Sequence, residues 1–241
     1  MVLPKGKAKE IWVLRGFKFM IKAVIFDMFE TLITHYRSPL YFGTQMAEDA
    51  GIRREDFQAL WEPTESDRSI GKVTFEEVIA MILRENHCYS KELLGEITRK
   101  RIETKRECFR HLHREILPML SSLKEKGVLI GLISNCFSEE AAVIRESELF
   151  PYFDACCLSY ELGIQKPDER IFDRCMEKLS VKPEECLYVG DGGSFELETA
   201  EKLGMTALQA VWYLKENPMN PSKRKQGFVQ LESPLEILIN I

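Results

Sequence analysis

Apolar residues along the chain fall into two kinds of run. Short runs rich in β-branched and aromatic side chains occur at 21–26, 128–133, 155–158, 186–189 and 205–211, and each predicts a buried strand. Longer stretches with apolar residues three and four apart follow them at 118–126, 138–149, 168–179, 195–203 and 234–241, and predict helices. Gly127 and Gly204 sit where two of these helices should stop. Repeated strand–helix units imply a doubly wound α/β fold, with a parallel sheet covered on both faces and right-handed crossovers. The strand at 205–211 reads as the last of the sheet, followed by a loop over 214–226 with Pro218, Pro221 and a basic cluster at 223–225.

Residues 36–113 break the alternation. Pro39 opens a predicted helix that Gly51 ends, a second covers 55–61 and stops at Pro63, and Thr74 with Glu77 forms a capping box ahead of Phe75, Val78, Ile79, Ile82 and Leu83. Ser90 caps a further helix from 91 to about 109. No strand pattern appears in this block. The chain therefore divides into an α/β core, 20–35 with 114–241, and an inserted helical module, 36–113.

Composition adds mainly exclusions. The chain has 241 residues and a net charge of −5 with both signs dispersed, so no basic stripe points to nucleic acid. No apolar run approaches the roughly 18 residues of a membrane span. Seven cysteines without framework spacing fit a reducing, cytoplasmic setting. Cys156-Cys157 and His111-x-His113 lack the Cys-x-x-Cys partner a zinc site would use. A monomer or homodimer is expected. Residues 1–19 read as an N-terminal arm, an extra edge segment, or an extension ahead of a start at Met20.

The chemistry gathers at strand ends. Asp27 closes the first strand, Thr31 follows it, Ser134 closes the second, Lys166 lies in the loop after the third, and Asp191 sits among glycines after the fourth. In an open parallel sheet these positions share one edge, where ligands bind. Singly, each has a plainer role: Asp27 as a turn cap, Ser134 as a strand-end hydrogen bonder, Lys166 as a surface lysine, Asp191 as a turn residue. Together they suit phosphoryl chemistry. Two carboxylates brought close favour Mg²⁺, a hydroxyl and an ammonium suit phosphoryl oxygens, and Asp27 is then a nucleophile.

The segments FDMFETL, LISN, GIQKP and VGDGGSFE resemble, in this order, the four motifs of the haloacid dehalogenase-like (HAD) hydrolase superfamily. The resemblance implies a Rossmann-like core with a helical cap inserted after the first motif. It makes Asp27 the nucleophile and assigns Mg²⁺ to Asp27, Asp191 and the Phe29 carbonyl, with Glu196 as a supporting acid. Thr31, Ser134 and Lys166 match the positions that orient or neutralise the phosphoryl group, and Asn135 completes a frequent Ser-Asn pair. The substrate it implies is a small phosphorylated metabolite. Within the helical module, Arg68 and Lys72 flank Gly71 and are candidates to reach an anionic substrate; the plainer reading is exposed charge beside a helix start.

One position departs from the family's phosphatase pattern, Asp-x-Asp-x-Thr. Its second Asp, a proton donor to the leaving group, is replaced here by Phe29. General acid help is worth roughly 10²- to 10⁴-fold, so good leaving groups such as acyl phosphates or phosphoanhydrides are favoured. Glu30 and His35 are the nearest alternative acids. Members lacking that Asp include 2-haloacid dehalogenases and phosphonate hydrolases, which keep the aspartate nucleophile. Retention of Gly190-Asp191 with Glu196 favours a metal site and phosphoryl transfer. Two other readings compete: a non-catalytic phospho-ligand-binding relative, and a dinucleotide-binding module, which 190–195 fails to match for want of the last glycine.

Overall fold

The computed structural model describes residues 20–214 and 223–241. The readings of residues 1–19 and of Pro218 and Pro221 lie outside the described residues. Six strands form one sheet in the order β3-β2-β1-β4-β5-β6, all pairs parallel: β1 Ala23–Phe26, β2 Leu129–Ser134, β3 Ala155–Leu158, β4 Cys186–Gly190, β5 Thr206–Ala210 and β6 Val229–Leu231. β1 is central, with Phe26 in register with Leu132 of β2 and Val189 of β4.

Both faces of β1 are buried, as its unbroken apolar sequence requires. Val24 and Phe26 enter one core with Leu132, Val189, Leu120 and Trp212. Ala23 and Ile25 enter the opposite core with Phe172, Tyr188 and Leu197. Helices Ile116–Glu125 (α6), Ser138–Glu146 (α7), Ser159–Leu162 (α8), Glu169–Leu179 (α9) and Glu196–Leu203 (α10) accompany these strands.

Between β1 and α6 the chain builds five helices: α1 Gly43–Ala50, α2 Arg54–Trp61, α3 Glu65–Ser69, α4 Phe75–Glu85 and α5 Lys91–Arg110. They enclose a core of their own around Met46, Phe57, Phe75, Ile79 and Leu83. Thr74 Oγ1 accepts from Glu77 N at 3.2 Å and Glu77 Oε2 accepts from Thr74 N at 2.7 Å, completing the expected capping box of α4.

Several boundaries differ from expectation. The first helix of the block starts at Gly43, not Pro39. Pro63 does not end the second; it sits early in a 3-10 turn, Glu62–Thr64, where its missing N–H costs nothing, and the chain continues into α3. β5 is not the last strand, because Val229–Leu231 adds a short edge strand beyond it. The final segment is a 3-10 helix, Pro234–Ile239. Among the described residues no helix is long and apolar enough to cross a membrane.

Candidate active site

The carboxyl ends of β1, β2 and β4 lie side by side, and the predicted strand-end residues converge there. Asp27 N donates to Val189 O at 2.9 Å, which ties the end of β1 to β4. Lys166 Nζ donates to Asp27 Oδ1 at 2.5 Å, and Thr31 Oγ1 lies 3.4 Å from Oδ2. Asn135 holds the lysine's loop through its amide: Nδ2 donates to Lys166 O at 3.0 Å and Oδ1 accepts from Lys166 N at 2.8 Å. Ser134 is fully buried beside it, its hydroxyl turned to Asn135 O at 3.4 Å. The sequence pairing of Ser134 with Asn135 therefore separates into a hydroxyl at the strand end and an amide that positions Lys166.

The loop after β4 brings two further carboxylates. Gly193 N donates to Asp191 Oδ1 at 2.9 Å, while Gly192 N and Ser194 N donate to Glu196 Oε1 and Oε2 at 2.8 and 2.7 Å. Gly190 and Gly192 are required by this packing. A Cβ at Gly190 would lie 2.8 Å from Glu196 Oε1, and Gly192 has φ +94°. Both Glu196 oxygens are thus engaged by backbone amides, so this acid shapes the loop, and each oxygen keeps a lone pair for a further partner. Oxygens of Asp27, Asp191 and Glu196 lie within 4.8 Å of one another, all buried.

Three carboxylates crowd together here beside Lys166, and the electrostatics register the crowding. Burial pushes Asp27 up to about 6, Glu196 adds to the rise, and Lys166 only partly offsets it. Lys166 is raised despite its burial, by Asp27 first and then Glu196. Burial opposes the charge of Glu196 as well, yet Lys166 and the loop amides hold it below the usual carboxylate range. The donor set is all oxygen and compact, which fits a hard divalent cation.

Phe29 points away from this centre. Its ring stacks on His35 with centroids 4.8 Å apart and planes 13° from parallel, and Lys105 Nζ of α5 lies 5.5 Å from its centroid. The two nearby acids of the sequence are committed elsewhere. Glu30, in the left-handed region at φ 59°, accepts from Thr34 Oγ1 at 2.6 Å and from His35 N at 3.1 Å. His35 Nε2 lies 2.6 Å from Lys105 Nζ and Nδ1 lies 3.2 Å from Glu30 Oε1. Burial and Lys105 hold the imidazole below its usual pKa.

Arg68 and Lys72, paired in the sequence reading, part company. Lys72 is exposed and bound to Asp67 at 2.9 Å. Arg68 is buried, 1% exposed, so the reading of an exposed charge fails for it. Sequence reasoning also missed a buried network joining α5 to α7. Arg101 Nε and Nη2 donate to Glu139 and Glu140 at 2.9 and 3.1 Å, and Lys105 Nζ meets Glu140 at 2.7 Å. Its only sequence signal was the i, i+4 spacing of Arg101 and Lys105. Gln209 was missed too; its Nε2 donates to Asp191 O at 2.8 Å, fixing the loop from β5.

A family model for haloacid dehalogenase-like hydrolases matches residues 21–204. The chain belongs to this family. It is a hydrolase with the family's α/β core. A glyceraldehyde 3-phosphate phosphatase of Methanopyrus kandleri is 28% identical over 79% of this chain and 84% of its own length. The rhythmically expressed gene 2 protein of Drosophila melanogaster is 36% identical over 94 residues, 37% of this chain and 36% of that protein. Among solved structures, a dehalogenase superposes with TM-score 0.61 at 21% identity, over 93% of this chain and 99% of that one, which is a likeness of fold.

Proposed function

We propose that this HAD-family hydrolase cleaves a phosphoryl group from a small phosphorylated metabolite in the cytoplasm, with Asp27 as nucleophile and Mg²⁺ as cofactor. The observation that carries the reading is the buried cluster of Asp27, Asp191 and Glu196, whose oxygens lie within 4.8 Å of one another beside Lys166. The phosphatase relative of similar length supports the same chemistry.

In this reading Asp27, Asp191 and the Phe29 carbonyl hold the Mg²⁺, and Glu196 supports the loop beneath it. The ion, when bound, offsets the carboxylates and polarises the phosphoryl oxygens. Lys166 and Ser134 steady those oxygens, and Thr31 holds the free Asp27 oxygen. The Asp27 carboxylate attacks phosphorus and the bond to the leaving oxygen breaks, giving an aspartyl-phosphate. Water then attacks that phosphorus, restoring Asp27 and releasing inorganic phosphate. Among the described residues, the two acids nearest Phe29 in sequence are engaged elsewhere, Glu30 by Thr34 and His35 by Lys105. The reaction therefore suits leaving groups that depart as anions, such as carboxylates of acyl phosphates. The helical module, 36–113, acts as the cap that covers the site and selects the substrate.

Phe29 favours one second reading. Displacement of halide from a 2-haloacid by Asp27 also needs no proton donor. A hydrolysis panel of acyl phosphates, alkyl phosphates, nucleotides, a phosphonate and a 2-haloacid, with and without Mg²⁺ and with Asp27→Asn as control, separates the two. The expected result is Mg²⁺-dependent phosphate release that is fastest on acyl phosphates. Metal-independent halide release, lost in Asp27→Asn, would replace this reading with the second.

A further inference from the structure

Arg68 sits where the helical module meets the strand-end loops. Its guanidinium packs against two rings, its Cζ lying over each, 3.5 Å from the centroid of Trp61 at the end of α2 and 4.2 Å from that of Phe137. Phe137 directly follows the Ser134-Asn135-Cys136 stretch. A guanidinium donates its hydrogen bonds in its own plane, from its edge. Nε donates to Thr64 Oγ1 at 2.9 Å and Nη2 lies 3.4 Å from Trp61 O. Nη1 is buried and has no partner. No carboxylate makes an ion pair with Arg68 among the described residues.

Arg101 in the same interface shows how this chain treats a structural buried arginine. It is 2% exposed and donates to Glu139, Glu140 and the Tyr41 carbonyl. Glu139 acts on Arg68 through space, but its Oε1 is taken by Arg101. Burial lowers Arg68 to about 10, which leaves it a cation at neutral pH. A buried, charged donor left unpaired is costly, and its cost is removed if an acceptor arrives with a ligand.

Its place relative to the reacting centre is fixed. Ser69 Oγ meets Ser159 Oγ at 3.1 Å, and Ser159 Oγ accepts from Cys136 N at 2.9 Å, so α3 is tied to the loop that carries Ser134. A Cβ on Gly71 would lie 2.3 Å from Tyr160 O, so the turn after α3 seats directly on α8. The Cα atoms of Ser134 and Phe137 are at most about 11 Å apart. The spacing suits a ligand of a few carbons bridging the phosphoryl subsite and Arg68.

We infer that Arg68 is a specificity residue whose free guanidinium edge takes a carboxylate of the substrate, making the substrate a short phosphorylated carboxylic acid. The inference rests on the phosphoryl-transfer reading and deepens it. A planar carboxylate matches the edge of a guanidinium, and with Trp61 and Phe137 packed against Arg68 a flat acceptor needs less room than a tetrahedral phosphate.

Calorimetric titration of the full chain in Mg²⁺ with three non-hydrolysable ligands tests it: propylphosphonate, 3-phosphonopropionate and propane-1,3-bisphosphonate. The carboxylate ligand should bind at least ~10-fold tighter than propylphosphonate, and Arg68→Met should lower its affinity to that of propylphosphonate. Equal affinities in the unaltered chain, an advantage that survives Arg68→Met, or a larger gain for the bisphosphonate would overturn the inference. If Arg68→Met loses its near-UV circular dichroism, Arg68→Lys serves instead; it should cut the carboxylate advantage, and an undiminished advantage overturns the inference. Failure of the phosphoryl reading looks different. Propylphosphonate would then not bind, while Arg68-dependent binding of 2-chloropropionate would uphold the carboxylate site alone; binding of neither would overturn both.

Discussion

Two buried charge clusters lie within this chain, and they are built on opposite terms. Between α5 and α7, Arg101 and Lys105 face Glu139 and Glu140, two cations against two anions. At the strand ends, Asp27, Asp191 and Glu196 bring three carboxylates within 4.8 Å of one another, with Lys166 bound to Asp27. Although burial opposes its charge, Lys105 and Arg101 draw Glu140 down to about 2; at the strand ends burial pushes Asp27 up to about 6 despite Lys166. A balanced cluster holds two pieces of structure together. A cluster of like charges within reach of one ion offers a ligand set, and that difference separates architecture from site more clearly than burial, which the two share.

Matched amide substitutions break the comparison most sharply. Asp27→Asn should reduce turnover on any substrate by on the order of 10³-fold or more, while in metal-free buffer its melting temperature should equal or exceed that of the unaltered chain. A lower melting temperature would mean that Asp27 is held for stability. Glu140→Gln should do the reverse. It leaves Lys105 and Arg101 short of an anion and should cost about 3–5 kcal/mol in urea unfolding, with Mg²⁺ affinity unchanged. A variant as stable as its parent would show that the network contributes little.

Phe29→Asp sharpens the same contrast at the rim of the site. It returns a proton donor and should raise turnover on alkyl phosphates by roughly 10²-fold, with little change on acyl phosphates, whose leaving groups need no proton. An equal rise on both would point to binding in place of proton transfer. No rise would mean that the ring's stacking on His35 under Lys105 turns the new carboxyl away from the leaving group.

Much of this was legible in the sequence, for physical reasons. Strands buried on both faces read as continuous apolar runs, so β1, β2 and β4 and the polar residues that end them stood out. The helical insertion was legible from its capping signals, Thr74 with Glu77 and Ser90. β6 was not, because it has three residues, is half exposed and carries Gln230 at its centre. α3 was hidden between Pro63 and Gly71. Arg68 looked like a solvated charge because nothing local predicts that Trp61 and Phe137, one from each part of the fold, will pack against it. The Arg101–Glu139 pair joins residues 38 positions apart, and no pattern at that separation announces a contact.

In the proposed function the strand-end carboxylates take up a cation, which the interface cluster does not need. Thermal unfolding of the full chain with and without Mg²⁺, beside Asp191→Asn and Glu140→Gln, tests it directly. At Mg²⁺ tenfold above its dissociation constant, the unaltered chain and Glu140→Gln should each gain about 1.4 kcal/mol, and Asp191→Asn should gain little. Equal Mg²⁺ responses in all three proteins, or none in the unaltered chain, would contradict the account.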